Sequence, residues 1–450
     1  MYRDIAVYAG LAICFLISLR QPFFGALVIL ATAVLRDTMI EETYGRFLSI
    51  HGYEILYLGT ILGVLLSRAG QLGEFLPKTA TDWGMFGFFL AMIASALLNG
   101  VDIWDHKYID LYFKAMVLYF LLSRLADTPQ RVTLVAVVLV AATAYLTYEA
   151  WRKYRAGLVY FARPYYGSQM HEFGMQLVIT LPVVGALLAR RMKLLWRVLL
   201  LALIPLIVLV ALRTQSRSTY LGVGLGLVLL AWYYRRRWYL QVLALPIIVY
   251  AVTHQTPEVS SRLESVWTHK TAEGTEDTSI DMRLEQMRTA MRVISSHPIL
   301  GLGPREFFRR YREFATEAGV YRDWEYTMHN VPLLILCEEG FIGFFFYYGL
   351  LVLGAFLDAR FVIRRAREAP DLEPTAIVAA GGLMAFLAWC AYSLGQPVMW
   401  TINIYGTVAL VVACRRVAQA QLAELAEQEE GEQAEDVLIA GRPATEAVFS

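Results

Sequence analysis

The chain has 450 residues, of which 57% are hydrophobic and 13% aromatic, with a formal net charge of +1. A near-neutral balance leaves no electrostatic footprint for nucleic acid, and apolar residues gathered in long blocks exclude an ordinary soluble domain. The four cysteines, Cys14, Cys337, Cys390 and Cys414, all lie in or beside apolar blocks and suggest neither a disulfide framework nor a metal cluster.

Apolar segments fall near 5–19, 22–35, 54–67, 83–98, 109–123, 131–149, 171–189, 194–212, 218–234, 238–254, 329–357, 375–393 and 397–414. The expectation is an all-α polytopic membrane protein of about 12–13 transmembrane helices with one large outer, periplasmic-side loop containing amphipathic helices. The first two segments are shorter than the roughly 20 residues a square crossing needs, so tilted, re-entrant or interfacial placements are expected. No cleavable signal peptide is expected, because the first apolar stretch lacks a basic flank and a small-residue cleavage site. Four basic clusters share one side by parity: Arg190, Arg191, Lys193 and Arg197; Arg235 to Arg237; Arg360, Arg364, Arg365 and Arg367; and Arg415 with Arg416. That side is taken as the cytoplasm of a bacterial inner membrane, although the loop 150–170, with Arg152, Lys153, Arg155 and Arg163, opposes it. The resulting division is an amino-terminal bundle over 1–254, a large periplasmic-side helical loop over 255–328, carboxy-terminal spans over 329–417 and an acidic cytoplasmic tail over 418–450, helical at first and then disordered.

Within the outer loop, Ile280, Leu284, Met287, Met291 and Ile294 recur at helical spacing, so an amphipathic helix is expected over 279–296, on the protein or on the membrane interface. At 100° per residue Arg283 stands about 60° from the centre of that stripe, closer than Arg288 or Arg292 on its other flank. "HPILGLGP" (297–304) reads as a tight turn packed on the helices, and "REFFRRYREFATEAG" as a second helix.

Three places put polar chemistry at the outer surface. In "RTQSRSTYLG" (213–222), Ser216 can cap an inward-running helix whose first residue is Arg217, which directs N–H groups and a positive dipole end outward and makes an anion site. Arg283 is the second. The third is His329 with Asn330, where Asn330 can cap a helix carrying Pro332 in its first turn. There the positive helix end and neighbouring arginines disfavour imidazolium and keep His329 available as a base. Each has an ordinary reading as well: a lipid-snorkelling arginine, an interfacial arginine, a structural histidine. Glu338, inside an apolar run nine residues after His329, lies on the opposite face of a regular helix and is expected to be structural support; His171 and Glu172 have no assigned role.

In order, "SRSTYLG", an outer-loop arginine, "HPILGLGP" and "HNVPLLILCEEGFIG" resemble the O-antigen ligase and polysaccharide polymerase family over about residues 170–357. The last stretch matches that family's HN motif at His329, Asn330, Leu333, Leu336, Glu338, Gly340 and Gly343. The resemblance implies a C-type membrane glycosyltransferase. Such enzymes move a glycan from a polyprenyl-pyrophosphate donor to an acceptor hydroxyl at the outer face, with inversion and without metal or cofactor. It assigns His329 to catalysis and Arg217 and Arg283, with Ser216 and Asn330, to substrate. The acceptor stays open among a glycolipid such as lipid A core, a growing polysaccharide and a protein. A flippase of lipid-linked sugars would share the size and the basic residues, but would place its ionisable groups near the bilayer midplane and in repeated halves, and no repeat is visible.

Overall fold

The computed structural model describes residues 2–35, 51–104, 106–158, 170–235, 278–317, 328–399 and 401–440. Among them the secondary structure is helical throughout, without strands. The chain is an all-α polytopic membrane protein. Helices α1 (Tyr2–Arg20), α2 (Pro22–Leu35), α3 (Gly52–Ser67), α4 (Ala80–Leu98), α5 (Lys107–Leu125) and α6 (Pro129–Arg155) are followed by α7 (Met170–Leu188), α8 (Leu194–Arg213) and α9 (Arg217–Tyr233). Next come α10 (Thr278–Ser296), the short α11 (Glu306–Arg309) and α12 (Tyr311–Glu317), α13 (Val331–Glu338), α14 (Gly340–Arg365), α15 (Glu373–Ser393) and α16 (Ile402–Ala440).

By length and apolar character, five of the described helices can each cross a membrane: α4, α6, α8, α14 and the Pro370–Ser393 segment. A sixth crossing is possible if α3 and the turn Ala69–Phe75, bent by 119°, form one broken span. Shorter apolar helices occur at Val7–Arg20, Pro22–Leu35 and Glu172–Leu188. The expected span 238–254 and the start of the outer loop lie outside the described residues.

The bundle is tightest where α7, α9 and α15 meet. Gly174 and Gly222 sit against Thr219, Val178 and Tyr392 there, and such small residues let membrane helices approach closely. One end of the bundle carries an ionic network. Asp82, the N3 residue of a Thr79 capping box, takes Arg124 Nη2 at 2.7 Å and the Tyr119 hydroxyl at 2.6 Å. Asp358 accepts from Thr81 at 2.7 Å and from Arg415, and Arg416 reaches Glu74 and the Ser123 carbonyl, each at 3.0 Å. Arg190 bonds Thr133 at the start of α6. The basic clusters around Arg190 and Arg415 thus share this end with the first turns of α4 and α6, as parity required.

One element differs from the sequence reading. The apolar run 329–357 is not one helix: α13 stops at Glu338, and Gly340, at φ +65°, starts α14 on a new axis. That conformation suits glycine. The backbone of "HPILGLGP" lies directly on the break. Leu302 N–H donates to the Cys337 carbonyl and Gly303 N–H to the Glu338 carbonyl, both at 2.9 Å, while Phe341 and Ile342 donate to the Pro298 and Ile299 carbonyls at 2.8 and 3.2 Å. No side chain fits between: a Cβ at Gly301 would stand 2.5 Å from the Glu338 carbonyl carbon, and one at Gly340 would overlap the Ile299 carbonyl. Apolar periodicity registers burial and is blind to such a clasp.

Helix α10 forms where expected and buries Gln286, Thr289, Ala290 and Val293, about 130° round the axis from the centre of the apolar stripe, while Leu284 and Met291 are 50% and 60% exposed, so of the two placements the stripe has the one away from the protein. Gln286, on the buried face, accepts a hydrogen bond described below. Helix α16 continues unbroken through the acidic segment to Ala440.

Candidate functional site

At the opposite end from the ionic network, the polar break 213–218 begins with Arg213 over the Tyr154 ring and passes through Gln215 at φ +54°. Ser216 then caps α9, its hydroxyl accepting from Thr219 N–H at 3.4 Å. Arg217 is the first residue of the helix and half-buried. Ser218, buried, donates its hydroxyl to the Gly395 carbonyl at 3.2 Å and accepts from Gln396 Nε2 at 3.5 Å. Arg283, from the outer-loop helix, comes to the same turn, its Nη1 3.8 Å from the position a Gly395 Cβ would take.

His329 and Asn330 arrive from a third direction. Asn330 caps α13 with its Oδ1, which accepts from Leu333 N–H at 3.0 Å, and its Nδ2 donates to the Leu394 carbonyl at 3.3 Å. The backbone N–H of His329 donates to Gln286 Oε1 at 3.5 Å, tying it to α10 one turn beyond Arg283. His329 is half-buried just before the start of α13, whose positive end favours an anion.

All three polar places of the sequence therefore meet, and they meet on residues that the sequence analysis did not single out. Leu394, Gly395 and Gln396 form a turn after α15 that bonds Ser218 and Asn330 and lies close to Arg283. Ser216 and Asn330, expected as substrate contacts, both engage their side-chain oxygens in capping.

Residues 200–348 match the protein-family model described as O-antigen ligase. Over that third of the chain the sequence is similar to the O-antigen ligase family. No curated protein matches it. The family segment contains Arg217, Arg283, His329, Asn330 and Glu338 and ends before Leu394, so the turn that gathers this family's polar residues lies outside it.

Glu338 stands apart from the cluster. It is 2% exposed, its carboxylate accepts from the Arg305 backbone N–H, and its carbonyl accepts from Gly303 and, at 2.7 Å, from Ser95 of α4. Its contacts all fall on the clasp. Glu172 is half-buried near Tyr392, and the side chain of His171 lies outside the described residues. Among the described residues no three of His, Cys, Asp or Glu are placed to hold a metal ion.

Proposed function

We propose that the chain is a membrane glycosyltransferase that moves a glycan from a polyprenyl-pyrophosphate donor to an acceptor hydroxyl. The observation that carries this reading is the convergence of the Arg217 helix start, Arg283 and the His329–Asn330 corner on one turn. Two guanidiniums and two helix starts suit a pyrophosphate, whose charge grows as the glycosidic bond breaks. His329 takes the proton of the acceptor hydroxyl as that oxygen attacks the anomeric carbon from the face opposite the pyrophosphate. The new C–O bond forms, the C–O bond to phosphate breaks, and polyprenyl pyrophosphate leaves with inversion at the sugar. With arginines and helix ends meeting the charge, the reaction as drawn uses no metal ion and no cofactor.

The site lies at the opposite end from the ionic network and its arginines, so by the positive-inside rule it faces the periplasm and the carboxy terminus is cytoplasmic. Within the family the acceptor is the free variable: lipid A core, a protein, or the end of a growing polysaccharide. Glycan length profiles from a strain lacking the protein separate polymerisation from ligation.

The central test uses purified protein, a lipid-linked glycan and acceptor in the presence of EDTA. His329→Ala and His329→Gln should both bind donor and both lose transfer by about 10² to 10⁴, the usual weight of a general base. Near-normal transfer by the glutamine form would reduce His329 to a positioning role. Loss of wild-type transfer in EDTA, restored by magnesium, would replace the arginine-based mechanism.

A further inference from the structure

Gly395 stands where three elements close on one another. A Cβ there would overlap Ser218 Oγ, stand 3.4 Å from Ser218 Cβ and reach within 3.8 Å of Arg283 Nη1. Its own carbonyl is the acceptor for Ser218, the residue next to Arg217. On one side, the carbonyl of Leu394 holds Asn330, the residue next to His329. On the other, Gln396, only 5% exposed, donates to the same Ser218 hydroxyl. Each candidate chemical residue is thus held through its sequence neighbour, or by direct approach, to a three-residue turn. The chain between α15 and α16 sets where the two arginines stand relative to each other and to the histidine.

We infer that Leu394–Gly395–Gln396 is the positioning element of the site, and that Gly395 fixes where Arg217 stands beside Arg283 because only a residue without a Cβ lets the Ser218 hydroxyl close on the turn. This rests on the donor-binding reading of those two arginines. A methyl at 395 must displace the Ser218 hydroxyl from its bond to the Gly395 carbonyl, and with it the hold on the start of α9, or shift the turn itself. Displacement of about 1 Å in a substrate-holding group costs up to about a hundredfold. The arginines grip the pyrophosphate and His329 meets the acceptor, so the defect falls on donor binding more than on the chemical step. The clash also has a named remedy: removing the Ser218 hydroxyl frees the space that the new methyl needs.

The experiment measures binding of a short-chain polyprenyl pyrophosphate, together with steady-state transfer, on full-length protein in nanodiscs. Gly395→Ala should weaken probe binding about ten- to a hundredfold and raise the donor KM more than it lowers kcat. Gly395→Ala added to Ser218→Ala should bind the probe no more weakly than Ser218→Ala alone, a non-additivity that a general folding defect would not produce. Gly224→Ala in the same helix, where nothing stands within 4 Å of the new methyl, is the control and should bind normally. If Gly395→Ala does not yield folded protein, Gln396→Ala, which removes the donor to Ser218 without adding bulk, should weaken binding several-fold. Arg217→Ala and Arg283→Ala that lose the probe beside a Gly395→Ala, or failing that a Gln396→Ala, that keeps it would overturn the inference alone. A double variant weaker than Ser218→Ala alone by the full Gly395→Ala factor would overturn it too. Normal binding by both arginine variants would remove the donor reading and this inference with it.

Discussion

Arg217 and Arg283 reach the turn at Gly395 by different routes, one as the first residue of a capped helix and the other as a long side chain from a helix lying across the site. That difference decides how a lysine would fare. At Arg217 the short distance from a fixed helix start leaves little slack, and an ammonium cannot reproduce a planar fork on two phosphate oxygens. Arg217→Lys should therefore lose nearly as much donor turnover as Arg217→Ala, read as kcat/KM in membranes. A lysine variant with wild-type turnover would make Arg217 a lipid-facing anchor. These residues were legible in the sequence because each breaks an apolar pattern or sits at a cap. Gly395 and Gln396 were not, since "SLGQPVM" reads as an ordinary linker between spans and its meaning lies in what Ser218, Arg283 and Asn330 bring to it from far along the chain.

The clasp between "HPILGLGP" and the 338–340 break shows how an element can be recognised and its job still missed. Glycines and prolines announced a turn, yet nothing in spacing says that its backbone completes the hydrogen bonds of a broken membrane helix. The Ser95 hydroxyl of α4 shares its one proton between the Glu338 and Leu300 carbonyls, so it ties turn, break and helix. Ser95→Ala should lower stability by about 1 kcal/mol, because a shared hydrogen bond is lost while the Glu338 carbonyl keeps the Gly303 N–H. Gly340→Ala should do more damage, combining a positive φ with overlap on Ile299; thermal unfolding in detergent orders the two, and an alanine at 340 with wild-type stability would contradict the clasp. Two histidines bracket the turn. Burial and the nearby Arg309 hold the His106 pKa below the ordinary imidazole value while its ring donates to the Pro304 carbonyl; burial and Arg310 do the same to His297. The folded protein then binds fewer protons than the unfolded chain, so stability rises with pH through this window and declines as pH falls below about 6.5, the unfolded value. His106→Gln should flatten the acid side of a midpoint-against-pH curve, and an unchanged curve would remove this histidine from the account.

Helix α4 joins the two ends of the molecule, with Asp82 in the ionic network and Ser95 in the clasp, about 20 Å apart along the helix axis. The network is legible only in part, since the sequence marks the arginines as a cytoplasmic signal but not the acids that meet them across the fold. Asp82 and Arg124 are 0% and 1% exposed, which makes their pairing unlike an ordinary surface salt bridge. Removing one partner leaves a buried charge without compensation, at about 3–5 kcal/mol, whereas replacing both by apolar side chains of similar volume is often neutral. Asp82→Asn should therefore lower the thermal midpoint sharply, and Asp82→Leu combined with Arg124→Met should recover much of the loss. Because none of these atoms contacts the turn at Gly395, the donor KM and kcat of Asp82→Asn should match wild type at temperatures well below unfolding. Parallel melting and transfer measurements decide the matter: a variant that keeps its midpoint but loses transfer would mean that α4 couples the ionic end to the site, while lost midpoint with normal transfer assigns the network to holding the bundle together.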